Sequence, residues 1–519
     1  MNPMNHTTRN HIRRASVLLA LLACVPAVIA CGDAGDGKTV ETKTADNTAA
    51  VTDAAETEEL TGRAAVKDNL PDDLDLGGET IRILTRADDR DTRIEFIAEE
   101  ETGDIIEDAV YNRNLAVMER LNVQMEVIEA GTGATRHEGA VVNGLIDKSV
   151  LAGEDAYDLV GNHMSQITPY ILKGAFLDMH DLPYLDWEQP WWNQSYNAHI
   201  TLDGKQYMCA GELAQTMISG TYVTFFNKKL WAENWGDDNL YEIVQNGEWT
   251  LDKMKMYCDV MYSDLNGNGQ VDEDDRFGFV YMESQIQGDA FAGGANVTFT
   301  TYDESDGYYY WTLENEHTAT FLSKMKSLMH ENNNVWYTTE TERKFSVDFM
   351  YKMLDDTVLF MPHMLSGTDQ LREMKSDYGI VPMPKLDENQ EDYTTFVHNG
   401  FTVFAIPTTC QKAETVAPFL EAMCAESYRS VTPAYYDVAL KVKYARDEEA
   451  AAMLDIATQS IVFDFGYLYN QYISANTALF RSMLNTTSNI DKGMSTIASK
   501  EKATNKLLAK IVDTYGELE

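Results

Sequence analysis

From Leu70 onward the chain alternates short strand-like apolar runs with helix-like ones, and that alternation limits the fold more than any other feature. GETIRILTR (Gly78–Arg86) reads as a buried strand. IIEDAVYNRNLAVMERLN (Ile105–Asn122) has apolar residues at helical spacing, and VQMEVIEA (Val123–Ala130) is a strand again. A helix Gly139–Leu151, a strand YDLVGN (Tyr157–Asn162) and a helix near Gln166–Lys173 follow. Strands alternating with helices predict an α/β lobe with a mainly parallel sheet. Ligands of such sheets sit beyond the strand C-termini, here near Arg86 and Asn162–Gln166.

A second α/β unit starts after TYVTFFNKKLW (Thr221–Trp231). It contains a helix from about Thr250, the strand FGFVYM (Phe277–Met282) and the amphipathic stretch His317–Asn332. DTVLFMPH (Asp356–His363), DYGIVPMPK (Asp377–Lys385) and FTVFAIP (Phe401–Pro407) come next, the last leading into a helix Ala413–Ala425. At 519 residues the chain exceeds what one hydrophobic core serves, so two lobes are expected.

The N-terminus reads as a targeting segment. Arg9, Arg13 and Arg14 precede an apolar run, Ser16–Ala30, too short to span a bilayer comfortably. Val28-Ile29-Ala30-Cys31 resembles a bacterial lipobox, with Cys31 the residue to be lipidated; an ordinary cleaved signal or a retained anchor is the alternative. Gly32 to about Leu60 is rich in Ala, Thr, Asp and Glu and has no aromatics, so it reads as an acidic tether. Within it Gly32–Thr39 satisfies the phosphate-loop pattern, but no strand and helix flank it and Asp33 and Asp36 repel phosphate, so the match is chance. Cys209, Cys258, Cys410 and Cys424 form no C-x-x-C pair; a Cys410–Cys424 bridge and buried free thiols both fit.

With 41 Lys+Arg against 83 Asp+Glu the net charge is −42, and loss of residues 1–30 takes it to −45. Such a surface repels nucleic acid and anionic lipid and favours cations or neutral ligands.

DLNGNGQVDEDD (Asp264–Asp275) has the spacing of a calcium loop. Asp264, Asn266 and Asn268 take positions 1, 3 and 5, and Gly269 allows the sharp turn at position 6. Gln270 offers a carbonyl, Asp272 stands at 9 and Asp275 at 12. Asp275 is shorter than the usual glutamate, which predicts weak Ca2+ affinity, on the order of 0.1–1 mM. A helix over 250–263 precedes the loop, but a strand follows it and no second loop exists, so the expected role of the ion is structural. An ion-free Asn/Gly-rich turn is the alternative, and no organic cofactor is expected.

The lipobox, YDLV with its helix and GAFLDM, LDGKQY…YVTFFNKKLW, NGEWTLDKM, DYGIVPMPK and RDEEAAAMLDI occur in an order that resembles the extracellular solute-binding proteins of sugar importers, relatives of maltose-binding protein. The resemblance runs over most of residues 75–519. It implies a type II fold of two α/β lobes around a cleft, with chain crossings near Ser219–Phe225, Asn399–Phe404 and Ala445–Ala452. Lobe one then holds 75–218 plus 405–445, and lobe two 226–398 plus 453–519. It further implies a carbohydrate ligand, probed by aromatic faces and planar polar groups, a transmembrane permease as partner, and an extracytoplasmic protein anchored through Cys31.

Placement at strand ends, sharpened by the resemblance, nominates Arg86, Asp88, Asn162, Ser165, Gln166, Tyr222, Glu283, Gln285, His363, Asn399, Phe465 and Tyr467 as ligand contacts. Met364 stands where the family often has a stacking aromatic. Trp191 and Trp192 are adjacent and point to opposite sides of an extended chain, so only Trp192 is nominated. The rival class is a secreted carbohydrate-cleaving enzyme with a carboxylate pair. The chain has no G-x-S-x-G, no H-E-x-x-H and no Cys–His signature, and the reading is a binder without chemistry at the site. A peptide or another small solute remains open as its ligand, and a scaffold role leaves the two-lobed pattern unexplained.

Overall fold

Two larger sheets and one two-stranded sheet organise the described residues. The computed structural model describes residues 62–86, 95–131, 139–236, 238–283, 286–338, 347–436 and 448–518. All belong to the second of two units, Met1–Glu59 and Leu60–Glu519. Cys31, the tether, Asp88, Gln285 and part of the Ala445–Ala452 crossing lie outside the described residues.

Sheet one has strands β1 (Thr80–Arg86), β2 (Gln124–Ala130), β3 (Leu159–His163) and β11 (Thr402–Ala405), in the order β11-β3-β1-β2. β1 pairs in parallel with β2 and β3, and β11 is antiparallel. Sheet two contains β4 (Tyr222–Asn227), β5 (Phe277–Met282), β8 (Val335–Thr338), β9 (Val358–Met364) and β10 (Tyr378–Val381), in the order β10-β4-β9-β5-β8. It is mixed: β5 is parallel to β8 and β9, while β4 is antiparallel to β9 and β10. A short hairpin, β6 (Thr300–Asp303) with β7 (Tyr308–Trp311), packs on the long final helix Gly493–Glu517. The sequence reading passes over both elements.

Local chemistry sets the elements. The helix Ile105–Leu121 starts at Asp104, whose carboxylate accepts from the N–H of Ile106 and Glu107, and stops at Asn122 in the left-handed conformation. The expected helix at Gln166–Lys173 is split into Met164–Ile167 and a 3-10 turn Thr168–Lys173, because Pro169 donates no N–H to a continuous ladder. β3 and β11 are buried along their whole lengths, as strands covered on both faces are.

Two chain crossings fix how the sheets meet. The parallel strands of sheet one end at Arg86, Ala130 and His163, and those of sheet two at Met282, Thr338 and Met364. The antiparallel strands begin at these same edges, β4 at Tyr222 and β11 at Thr402. The segments leading into them bond side by side: His398 N–H to Gly220 O (2.9 Å), Tyr222 N–H to Phe396 O (2.9 Å) and Leu365 N–H to Thr221 O (2.9 Å). Ser165 and Met164 donate to Asn399 O and Phe401 O. The carboxyl edges of the two sheets are therefore held together through the crossings, where ligands of open α/β sheets bind.

Candidate functional site

At the edge of sheet one, Arg86 is buried and its Nη2 donates to Gly400 O (2.8 Å) and Thr402 Oγ1 (3.1 Å). Beside it stands Glu95, fully buried, whose Oε1 accepts from the N–H (3.0 Å) and hydroxyl (2.6 Å) of Thr216. Burial pushes the Glu95 carboxyl up to about 7, against the pull of Arg86 and of the Thr216 and Thr402 hydroxyls. Its second oxygen, Oε2, is buried without a protein hydrogen-bond partner.

At the edge of sheet two, Asp289 lies in the first turn of the helix Gln287–Gly294, which follows β5 directly. It is fully buried, and Arg481 Nε donates to its Oδ2 at 2.6 Å. Burial pushes the Asp289 carboxyl up to about 6 despite that arginine. Tyr222, Tyr281 and Tyr467 surround the pair closely enough to feel its charges, and burial pushes each phenol up. Four atoms of this cluster are buried with no protein partner: Asp289 Oδ1, Arg481 Nη2 and the hydroxyls of Tyr281 and Tyr467. A buried polar atom without a partner costs about 1–3 kcal/mol, so such groups ordinarily meet water or a ligand.

The nominated residues divide. Arg86, Tyr222, Tyr467, Asn399 and Ser165 come together around the crossings, with His163, whose Nδ1 lies 3.2 Å from Ser165 Oγ. His363 is half-buried one residue before the end of β9, Glu283 follows β5 half-buried, and Gln166 is half-buried beside Gly139. Asn162 is instead a structural tie: its amide donates to Gly139 O and Asn143 Oδ1, and its own oxygen accepts the His163 N–H. Phe465 is no platform, because it is fully buried and Tyr309 stacks on it at 3.8 Å with 6° between the planes. Trp192 gives its indole N–H to a structural partner: like that of Trp191, it donates to the buried Glu421 at 3.1 Å. The four described cysteines are free and buried.

Glu95, Asp289 and Arg481 escape the sequence reading. The signal for the sheet-two pair is present in the chain: one acid in QGDAFAGG and one arginine in ALFRSML, each isolated among apolar or small residues. A lone charge in such surroundings needs an opposite one.

The 264–275 loop lies at the opposite, amino edge of sheet two. Asp264 accepts from the N–H of Gly267 (2.6 Å) and Gly269 (2.8 Å), both at positive φ. Asp272 accepts from the amides of Asn266 and Asn268, and the buried Asp275 accepts from Tyr262 Oη (3.1 Å) and from Leu265 N–H (3.3 Å). Lys352 bonds the carbonyls of Glu273 and Asp275. The preceding helix ends at Cys258, short of the expected 263, because Ser263 pairs with Arg276 to close the loop. No group of three or more His, Cys, Asp or Glu converges among the described residues. The loop is thus a mixed set of carboxylates, amides and a carbonyl, of the hard-oxygen kind that suits Ca2+.

No family model and no curated protein matches the chain. Solved structures do. The chain is similar to the sugar-binding protein MalE of Xanthomonas citri (TM-score 0.56, 12% identity, covering 85% of this chain and 100% of that one). It is also similar to the galacto-N-biose-/lacto-N-biose I-binding protein of an ABC transporter of Bifidobacterium longum, solved with lacto-N-biose (TM-score 0.52, 11% identity, 84% and 98%). A sugar transporter protein of Rhizobium etli in an open conformation matches at TM-score 0.51 (13% identity, 82% and 99%). These likenesses establish the fold: two α/β lobes of the periplasmic-binding-protein type.

Proposed function

We propose that this protein captures a carbohydrate between its two lobes and hands it to a membrane permease, as the substrate-binding component of an ATP-driven importer. The observation that carries the reading is the pairing of buried charges at the joined carboxyl edges. Glu95 with Arg86 on one sheet and Asp289 with Arg481 on the other set carboxylate acceptors and guanidinium donors about the crossings. Sugar hydroxyls both donate and accept, so such sets suit them. The solved neighbours of this fold bind sugars by their printed descriptions.

A ligand contacting both edges favours the arrangement in which they are closest, and the crossings serve as the hinge. The arginines keep the carboxylates tolerable in a dry site, and Tyr222 and Phe396 supply ring surface beside them. Cys31 carries lipid and residues 32–60 lift the folded part from the membrane outside the cytoplasm. Ca2+ bound by Asp264, Asn266, Asn268, Gln270, Asp272 and Asp275 stiffens sheet two from its far edge.

A specific observation keeps a second reading in view. Burial raises the Glu95 carboxyl to about 7 and the Asp289 carboxyl to about 6, and a glycosidase acid is raised in the same direction. One experiment separates the two. The full chain is melted against neutral mono- and oligosaccharides, and each mixture is analysed for breakdown. A ligand at about 100-fold its Kd adds about 2.7 kcal/mol of stability. A shift with the sugar recovered intact supports the importer component; products support the hydrolase; no shift with any sugar removes the carbohydrate reading.

A further inference from the structure

A cavity of about 350 Å³ lies beside the first crossing but not among the groups described above. Its walls include Arg63, Trp192, Ser195, Glu212, Met217 and Ile461. Thr221 also lines it, whereas the next residue, Tyr222, faces the Asp289–Arg481 cluster. Adjacent residues of an extended chain point to opposite sides. The short helix Gln215–Ser219 repeats the division: Thr216 bonds Glu95, and Met217 and Ile218 line the cavity. Cavity and charged edges therefore lie on opposite sides of the crossing.

The cavity has the features of a built site. Gly211 gives one wall its shape, since a Cβ there would meet Trp192 Cε3 and Cys424 Sγ at 2.9 Å, so only glycine lets the indole lie this close. Trp192 is held in turn by its bond to Glu421. Arg63 and Glu212 form a two-pronged pair, Nη1 at 2.8 Å from both carboxylate oxygens, and the guanidinium sits 4.3 Å over the Tyr428 ring. Partial burial nevertheless pushes the Glu212 carboxyl up. Ser195 Oγ accepts the Phe463 N–H and keeps its own proton to give.

This lining selects its occupant. The two charges satisfy each other, so a charged guest gains nothing, and the −42 surface disfavours anions in particular. Met217, Ile218 and Ile461 offer apolar surface to a guest, and Glu212, Ser195 and Gln194 offer hydrogen bonds. The volume is at the small end for ligand sites. We propose that this cavity is a second binding site, separate from the one between the sheet edges, for a neutral saccharide of one or two rings.

The test is calorimetric titration of the full chain with glucose, maltose and lactose, with the Trp191 and Trp192 indole N–H resonances followed in parallel. Thr458→Trp fills the cavity from its rim, and Asp289→Asn alters the cluster on the far side. The expected result is a saccharide that shifts the Trp192 indole signal, binds Asp289→Asn with unchanged affinity, and loses at least tenfold with Thr458→Trp. If Thr458→Trp does not fold, Met217→Phe serves the same purpose. Binding that weakens only in Asp289→Asn and leaves the indole signal in place overturns the second site and keeps the importer reading. Binding that weakens only in Thr458→Trp establishes the second site and says nothing against the sheet-edge site, whose own sugar is found by the melting experiment above. No binding of any of the three sugars to the wild-type chain overturns the second site.

Discussion

The two sheets each end beside a buried carboxylate and an arginine, but the pairs are built differently. On sheet two, Arg481 bonds Asp289 directly, and among the described residues it is the one cation whose charge acts on that acid. On sheet one, Arg86 spends its bonds on Gly400 O and Thr402 while Thr216 satisfies one oxygen of Glu95. Asp289 therefore depends on a single charge, and Glu95 on two neutral donors with an arginine in the background. The lesson is that two sites with the same residue types can differ in which partner they cannot lose.

The largest effect expected from this contrast is Arg481→Met. It strands Asp289 in a dry site and should cost about 3–5 kcal/mol in urea unfolding, with part of the loss recovered at low pH as the acid takes a proton. A cost below about 1 kcal/mol would show that Asp289 has other support. Glu95→Gln should behave differently. The wild-type carboxyl is raised, so its contribution to stability is full below the ordinary carboxylate range and is lost as pH rises through about 7. The Gln variant lacks that loss, and its stability relative to wild type should improve by roughly 3 kcal/mol between pH 4.5 and 8. Parallel stability curves for the two proteins would break the comparison.

Calcium should sharpen the contrast, because the loop sits on sheet two alone. At about ten times its Kd the ion should add about 1.4 kcal/mol, read as a melting shift that a chelator removes and Asp275→Ala abolishes. Hydrogen exchange should slow in β5 and leave β1 unchanged. The smallest effect is expected from Tyr467→Phe, which deletes a buried hydroxyl with no protein partner. Stability should change by less than about 1 kcal/mol, while sugar affinity falls if that hydroxyl meets ligand.

Much of the architecture is legible in the residues. GETIRILTR, FGFVYM and Ala413–Ala425 carry their periodicity openly and fold as expected to within a residue or two. The hairpin Thr300–Trp311 is less legible, because its aromatics pack on the final helix and on Phe465 and break the alternation of an isolated strand pair. The site is legible where a strand end announces it, as at Arg86 and Tyr222. It is hidden where partners come from distant segments: Glu95 and Thr216 are 121 residues apart, and Asp289 and Arg481 are 192 apart.

The sequence by itself determined the alternating elements, the acidic charge, the spacing of oxygen donors from Asp264 to Asp275 and the isolated charges that had to find opposites. Those follow from local periodicity and from the cost of burying a lone charge. Only the tertiary structure decided which charges meet, that Asn162 and Phe465 are structural, and that Trp192 faces a cavity across the crossing from the charged edges. A side chain's neighbours depend on how the crossings bring remote strands to one edge, and that pairing has no period to read along the chain.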